Sequence, residues 1–214
     1  FASHPATLAY WRLARPHVQA MMKALLHGGV RSHDGDTCGL HINIGTDAFI
    51  ARDEDVRKDT DATAAHLERF ARLVTMNPRW STRMSQRTNE SVGRWAPITG
   101  YLNIDSRRPA WASEVARFGH ASQNRYCVLN AENTGRIEFR LPRGTLRVDR
   151  FYAKLEWTAA MVEYTRDPAN VIQISPFMSW CDKTTNASGE REYPELVAFM
   201  RERFSAERFG EVSE

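Results

Sequence analysis

Two short segments of this 214-residue chain contain side chains that could hold a cation and an anion. The segment CGLHINIG (residues 38–45) carries His41 and Asn43, and the segment RIEFRLP (residues 136–142) carries Arg136, Glu138 and Arg140. An imidazole and a carboxylate can bind a divalent cation, and guanidinium groups can bind phosphate oxygens. The two segments together therefore indicate a candidate site for a metal ion and a phosphate group.

Both segments alternate apolar and polar residues, which is typical of half-buried strands. The apolar positions are Cys38, Leu40, Ile42, Ile44, Ile137, Phe139 and Leu141. If both strands lie in one sheet with these positions against helices, the five polar side chains project together from the opposite face. The same alternation also describes an ordinary solvated face with cross-strand ion pairs, so it leaves both interpretations open.

Five helical segments are predicted around these strands. Apolar residues at helical spacing predict helices over about residues 6–26, 53–76, 111–118, 149–166 and 194–204. Pro16 should kink or divide the first helix, and Gly28 should end it. Asp149 is the predicted N-cap of the fourth helix, whose apolar face is predicted to contain Phe151, Leu155, Ala159 and Val162. Apart from the helix near 111–118, residues 79–124 show no regular pattern.

Another strand is predicted for RYCVLN (residues 125–130), and the turn-forming Asn133-Thr134-Gly135 joins it to RIEFRLP. This short connection predicts an antiparallel hairpin. Few strands, antiparallel pairing and flanking helices indicate an α+β fold. Because no repeat or long linker divides the chain, residues 1–214 are predicted to form one domain.

Positive charge is concentrated in the centre of the chain. The whole sequence has 29 basic and 26 acidic residues, yet residues 79–150 contain 13 arginines, no lysine and six acids. Arginine can bind phosphate or carboxylate through two parallel hydrogen bonds, so the centre is expected to face an anionic partner. A genomic bias towards arginine would explain the excess but not this clustering.

The remaining composition indicates a globular protein in a reducing compartment. The three cysteines are widely spaced and odd in number, which argues against a disulfide framework. No apolar run approaches the roughly 20 residues that span a bilayer. We therefore expect a cytoplasmic location and no membrane partner.

Three segments resemble, in order, the motifs of one family. CGLHINIG resembles a Cys-Gly-Leu-His-x-His/Asn-x strand, RYCVLN an Arg-Tyr-x-x-x-Asn strand, and RIEFRLPRGTL a Glu-x-Arg strand with its following turn. RMSQRTNE (residues 83–90) is weakly similar to an arginine-containing loop. The family is the bacterial and phage amidoligase branch of the glutamine synthetase-like carboxylate–amine ligase superfamily. The resemblance covers about residues 1–166 and leaves 167–214 as a C-terminal loop and helix.

The resemblance implies a curved antiparallel sheet with helices on its outer face and an ATP-dependent reaction that joins a carboxylate to an amine through an acyl-phosphate. It implies Glu138 and His41 as ligands of Mg²⁺ or Mn²⁺, with Glu138 and Arg140 as catalytic residues. The implied ATP-phosphate contacts are Arg136, Arg140 and Arg143. The implied substrate contacts are Asn43, His41 and Arg87. The substrates would be an amino-acid or peptide carboxylate and an amine.

One feature of the family is missing from the printed sequence. Members usually carry further metal-binding glutamates on strands that precede the first helix, and this sequence begins at Phe1 without them. Either such strands precede Phe1 in the native protein, or the chain is a non-catalytic relative. A non-catalytic relative would serve as a scaffold in a homo-oligomer or larger assembly, for instance in a phage particle with a virion location.

Two further interpretations compete with a ligase. A structural zinc site would use His27, His33, Cys38 and His41, but their spacing matches no paired zinc motif and we do not expect it. An arginine-rich nucleic-acid-binding protein would use the central arginines with interleaved aromatic residues. These are Arg79-Trp80, Arg94-Trp95, Arg107-Arg108, Trp111 and Arg125-Tyr126. We do not expect nucleic acid as a partner, because the tryptophans are better explained as core residues.

Overall fold

The computed structural model describes residues 3, 5–32, 39–50, 60–98, 127–131, 133 and 135–204. The α-helices are α1 (Leu8–Leu13), α2 (Arg15–His27), α3 (Thr60–Thr75), α4 (Pro78–Ser85), α5 (Asn89–Trp95), α6 (Val148–Arg166), α7 (Ile174–Lys183) and α8 (Pro194–Arg203). The strands are β1 (Ile42–Gly45), β2 (Leu129–Asn130) and β3 (Arg136–Phe139), and a 3-10 helix, Thr46–Phe49, follows β1. This mixture of helices with a small antiparallel sheet agrees with the predicted α+β class.

The three strands form one antiparallel sheet in the order β1-β3-β2. Glu138 lies at its centre, because it pairs with Asn43 of β1 on one side and with Asn130 of β2 on the other. The pairing extends beyond β3, where Gly39 forms a bridge with Arg143. The predicted antiparallel pairing of RYCVLN with RIEFRLP is therefore confirmed over Leu129–Asn130.

The apolar face of the sheet packs against two helices. The ring centroid of Phe139 lies 6.4 Å from that of Phe70 in α3 and 5.1 Å from that of Trp157 in α6. Ile137 and Leu141, which point to the same side as Phe139, are fully buried. Burial of these side chains is the main force that holds the sheet on the helices. The opposite face of the sheet is left for the polar residues.

Helix α6 is buried on most of its surface, because it packs against α1, α2, α3, α7 and α8. The predicted apolar face is only part of this contact. Phe151 and Leu155 pack half-buried against Val18 and Met22 of α2. The other sides are buried more deeply and include the charged side chains Arg150, Lys154 and Glu156. The single apolar face predicted from the sequence was therefore too narrow a description of this helix.

At the helix ends, the structure agrees with the predictions for Pro16 and Gly28 but not with the prediction for Asp149. The first helical segment is divided into α1 and α2, with Pro16 in the first turn of α2 and Gly28 as its C-cap. The prediction that Asp149 caps α6 was wrong. Arg147 occupies the N-cap position, and its guanidinium binds the Asp149 carboxylate at 2.7 Å instead.

Helices α4, α5 and α7 were not predicted. The first two occupy residues 78–95 within the stretch that shows no regular pattern in the sequence. Pro78 begins α4, and Thr88 caps α5 by accepting a hydrogen bond from the Ser91 amide at 3.1 Å. These helices have only eight and seven residues, so tertiary packing rather than propensity stabilises them. The predicted helix at 111–118, the predicted helix start at 53–59 and the predicted strand residues 125–126 lie outside the described residues.

No helix among the described residues has both the length and the apolar character required to cross a bilayer.

Candidate active site

The carboxylate of Glu138 is the centre of a polar cluster on the open face of the sheet. His41 Nδ1 lies 2.7 Å from Glu138 Oε1, which links the segment before β1 to β3. Arg140 donates to Oε2 at 2.9 Å, and the Asn130 amide donates to the same oxygen at 3.1 Å. The structure therefore brings together three residues that the sequence placed on one face: His41, Glu138 and Arg140.

The contacts of Glu138 keep it ionised. The hydrogen bond from His41 lowers the pKa of Glu138 most strongly, and the hydrogen bond from Arg140 lowers it further, whereas partial burial acts in the opposite direction. The result is a pKa of about 2, against an ordinary 4.5. A carboxylate held by donors in this way is an anion at any physiological pH.

Arg87 borders this cluster from the connection between α4 and α5. Its Nε donates to the Leu141 carbonyl at 2.9 Å, and its Nη1 donates to Ser91 Oγ at 3.0 Å. Burial lowers the pKa of Arg87, and the positive charges of Arg140 and Arg143 lower it further. This guanidinium is thus held close to two others in a partly desolvated position.

Gly39 makes room for two of the predicted site residues. A Cβ atom at this position would lie 2.7 Å from Arg87 Nη2 and 3.0 Å from His41 Nε2. Both distances are shorter than ordinary van der Waals contact. Arg87 and His41 therefore approach the same point above Gly39, and the absence of a side chain there lets them do so.

The other predicted residues are placed less centrally. Asn43 is exposed and lies directly across β1–β3 from Glu138. Arg136 is exposed at the opposite end of β3 from Arg140, paired with Gly45. Arg143 lies beyond β3, and its electrostatic neighbours are Arg203 and Arg150 rather than Glu138. The predicted phosphate-binding arginines are consequently spread along the sheet instead of forming one group.

Sequence reasoning missed Asn130 as a site residue. Asn130 is buried, and its amide donates to Glu138. The signal was present in the hairpin, since a cross-strand neighbour of Glu138 on β2 shares its face and is close enough to bond. The exact register of the hairpin was needed to identify it.

The contacts of Glu138 and His41 bear on the predicted metal site. Among the described residues, no three His, Cys, Asp or Glu side chains come together as a metal-binding group. His41 and Glu138 form a pair, and the contacts from His41, Arg140 and Asn130 use about three of the roughly four lone-pair positions of the carboxylate. One position on Oε1 remains for a cation. Mg²⁺ often takes one or two carboxylates and completes its shell with substrate phosphates and water, so Glu138 fits as one oxygen ligand. His41 does not fit as a second ligand in this arrangement, because its Nδ1 is bonded to the same carboxylate oxygen.

The structure describes some of the residues on which the zinc and nucleic-acid interpretations depend. His27 is exposed at the end of α2, while His33 and Cys38 lie outside the described residues. Trp80 is buried in the core, with its ring centroid 5.7 Å from that of Trp157 and 5.9 Å from that of Phe177. Trp80 is therefore a core residue, as expected, and is not a platform for stacking bases.

Comparisons of the chain with protein-family models, curated proteins and solved structures find no significant match.

Proposed function

We propose that this protein is an ATP- and Mg²⁺-dependent carboxylate–amine ligase with a glutamine synthetase-like catalytic fold. The observation that carries the proposal is the arrangement of Glu138, which contacts His41 at 2.7 Å and Arg140 at 2.9 Å on the polar face of the sheet. The motif resemblance assigns these three residues to metal binding and phosphate chemistry. The contact of His41 with Glu138 supports that assignment, because His41 comes from a segment far from Glu138 and Arg140 in the chain.

A ligase of this class performs two displacements. A substrate carboxylate oxygen attacks the γ-phosphorus of ATP, and ADP leaves with the electrons of the broken P–O bond. The amine then attacks the acyl carbon and loses a proton, and inorganic phosphate leaves as the amide forms. Negative charge on phosphate oxygens must be stabilised in both steps, so positioned cations are the main requirement.

Arg140 and Arg87 are suited to stabilise that charge. Arg140 is only 8% exposed, and Arg87 is half-buried near the same face. A guanidinium remains charged when partly desolvated, and it can bind two phosphate oxygens at once. In this low-dielectric setting each contact is stronger than it would be in water.

Glu138 would hold the Mg²⁺ or Mn²⁺ ion, which would supply charge neutralisation for the phosphate groups, and His41 would join it on releasing its contact with the Glu138 carboxylate. The low pKa of Glu138, about 2, favours this role because a cation requires the ionised carboxylate. Asn43, directly across the strand pair from Glu138, is the proposed contact for the amino-acid substrate. Arg136 and Arg143 remain proposed phosphate contacts at either end of the strand.

A non-catalytic scaffold is the second candidate function. The specific observation in its favour is that Glu138 is already bound by His41, Arg140 and Asn130. Such a cluster neutralises its own charge and can stabilise a fold without any ligand. In that case these residues hold the three strands together and perform no chemistry.

Product formation distinguishes the two candidates. The chain is incubated with ATP, Mg²⁺, a pool of amino acids and a pool of amines, and amide products and ADP are measured by mass spectrometry. The ligase proposal predicts ADP formation coupled to an amide product, with both lost in Glu138→Gln. The matched control is Glu190→Gln, which neutralises an exposed glutamate in the loop after α7 and should remain active. Absence of any ATP-dependent product, with the fold intact by circular dichroism, would support the scaffold.

A further inference from the structure

We propose that Arg143, Arg150, Lys154 and Arg203 form a binding site for a phosphate group. The four side chains come from the turn after β3, from α6 and from the last residue of α8. We call them the basic cluster. Arg143 is also a proposed ATP-phosphate contact of the ligase, but the site needs neither Glu138 nor a metal ion, so it can bind phosphate without the ligase function.

Burial and short contacts define the position of the basic cluster. Lys154 is 1% exposed, and its Nζ donates to the Arg143 carbonyl at 2.6 Å. Arg150 is 7% exposed. The guanidiniums of Arg150 and Arg203 lie 4.8 Å and 5.7 Å from the centroid of the same Phe199 ring. These contacts place Lys154 at Arg143, and Arg150 and Arg203 at one ring of α8, so the cluster lies at the junction of the sheet, α6 and α8.

The members of the basic cluster are also electrostatic neighbours of one another. Burial is the largest cause that lowers the pKa of Lys154, from its ordinary 10.5 to about 7, and Arg143, Arg87, Arg150 and Arg203 each lower it further. The pKa of Arg143 is also lowered, by burial first and then by Arg203 and Arg150. Repulsion among buried like charges is costly in the absence of an anion.

Among the residues that the structure describes, the acids near the basic cluster are fewer than the cations. Glu202 binds Arg150 at 2.5 Å, but its side chain is 58% exposed. Asp149 lies 3.6 Å from Arg150 Nε, beyond hydrogen-bond distance, and it binds Arg147 more closely at 2.7 Å. Neither of these two contacts is with Lys154 or Arg203. A bound anion would supply the missing negative charge.

Unused hydrogen-bond donors give the second line of support. Within the described part of the chain, the Nε atoms of Arg143, Arg150 and Arg203 are buried and have no hydrogen-bond partner. A buried donor without an acceptor costs about 1–3 kcal/mol, so three in one cluster call for an acceptor. A tetrahedral phosphate has several acceptor oxygens and up to two negative charges, which suit a group of several N–H donors and positive charges. A long polyanion would instead require an exposed basic surface.

The site can be tested with inorganic phosphate as the probe. The whole chain is titrated with phosphate by calorimetry in the presence of a chelator, so that metal ions play no part. We expect saturable binding that sulfate displaces. Arg203→Gln and Lys154→Met should each weaken it by about tenfold or more, as loss of a charged donor from a buried ion pair does. Arg191→Gln is the matched control, because Arg191 is exposed and is paired with Asp182, which forms no ion pair with a member of the basic cluster among the described residues.

Lysine resonances provide a second readout that does not depend on the variants folding. The chain has four lysines, so ¹⁵N-lysine labelling resolves Lys154 and follows its titration. Phosphate at the site should raise the pKa of Lys154 well above about 7 and leave the other three lysines unchanged. Displacement of phosphate by ADP would identify a nucleotide phosphate as the ligand, and failure of ADP to compete would identify inorganic phosphate.

Three results would overturn the proposal. These are the absence of saturable phosphate binding with no change in Lys154 titration, an equal loss of affinity in Arg191→Gln, and loss of phosphate binding in Glu138→Gln. The last result would assign the phosphate to the cluster around Glu138. If phosphate binds but no amide product forms with ATP, the basic cluster stands and the ligase function fails.

Discussion

At the scale of single residues, Glu138 owes its properties to donors from three separate segments. His41, Arg140 and Asn130 all donate to its carboxylate. Their combined effect exceeds the opposing effect of burial, so the pKa of Glu138 falls to about 2. An ionised carboxylate in this position can bind a cation or hold the strands together, and the two roles make different predictions for its variants.

The low pKa predicts a specific acid sensitivity. Because the pKa of Glu138 is below its ordinary 4.5 in the folded chain, its stabilising contribution is complete above pH 4.5 and is lost as the pH falls towards 2. Solvent screening reduces the effect, and we expect about 1–2 kcal/mol of unfolding free energy. Urea unfolding at pH 5 and pH 2.5 should show a larger loss for the wild type than for Glu138→Gln. Glu190→Gln should lose as much as the wild type, and equal losses in all three would contradict the assigned pKa.

A substitution at Gly39 should disturb the candidate active site while the fold of the chain is retained. The Cβ atom of Gly39→Ala would displace the ends of two flexible side chains, those of Arg87 and His41, so the fold should survive with a loss of about 1 kcal/mol. The hydrogen bond from His41 to Glu138 should weaken, and the pKa of Glu138 should rise in a carboxylate ¹³C NMR titration. Gly93→Ala is the control. Gly93 lies in α5 with open space around it, so this change should stabilise the chain by roughly 0.5–1 kcal/mol. An unchanged Glu138 titration in Gly39→Ala would be inconsistent with the observed crowding.

At the scale of secondary-structure elements, α6 connects the two ends of the described chain. Glu156 on α6 is 1% exposed and accepts a hydrogen bond from the Leu196 amide, in the first turn of α8, at 2.9 Å. The other carboxylate oxygen of Glu156 lies 3.4 Å from Arg12 in α1. One buried carboxylate thus joins three helices.

The contribution of Glu156 to stability should change with pH in the direction opposite to that of Glu138. Burial raises the pKa of Glu156 from its ordinary 4.5 to about 7, although its hydrogen bonds act against this. The folded chain therefore holds the proton more tightly than the unfolded chain, and this contribution to stability decreases as the pH rises from 4.5 to 7. Between these values, Glu156→Gln should gain on the order of 2 kcal/mol relative to the wild type in urea unfolding.

A variant with a shortened side chain at position 156 tests the structural role of Glu156. Glu156→Ala leaves the buried amide of Leu196 without an acceptor and should cost about 1–3 kcal/mol at pH 5, whereas glutamine retains an oxygen acceptor and should cost less. If alanine and glutamine variants were equally stable at pH 5, the hydrogen bond to α8 would not contribute to stability.

The sequence predicted strands and faces better than it predicted helices at 78–95. Alternation in RIEFRLP identified Ile137, Phe139 and Leu141 as the buried side, because side-chain direction in a strand repeats every two residues. Short helices such as α4 and α5 lack enough turns to show a period, and they form because their residues pack against distant parts of the chain. Local patterns therefore could not reveal them.

At the scale of the whole molecule, the small net charge conceals an uneven distribution of positive side chains. The central arginines indicated an anionic partner, but the basic cluster also draws on Lys154 and Arg203, which lie outside residues 79–150. Arg150 and Lys154 lie four residues apart on α6 and so share one face of that helix. The packing of α6 against α8 brings Arg203 to the same region, and Lys154 Nζ bonds to the carbonyl of Arg143. Helical spacing connects Arg150 with Lys154, but no spacing rule connects this pair with Arg143 or Arg203, so the complete group could not be predicted before the fold was known.

The same distinction applies to the candidate active site. The shared face of His41, Glu138 and Arg140 followed from strand alternation and from motif resemblance. The contacts of Asn130 and Arg87 with this region depend on strand register and on the approach of the α4–α5 connection. These are long-range properties that a single sequence does not encode in any local period.

Calorimetric titration of Mg·ATP into the chain tests the ligase account most directly. The account predicts saturable binding that requires Mg²⁺ and becomes at least about tenfold weaker in Glu138→Gln, because the variant loses a charged ligand for the cation, while Glu190→Gln binds as the wild type does. Absence of Mg·ATP binding, or equal affinity of the wild type and Glu138→Gln, would contradict it.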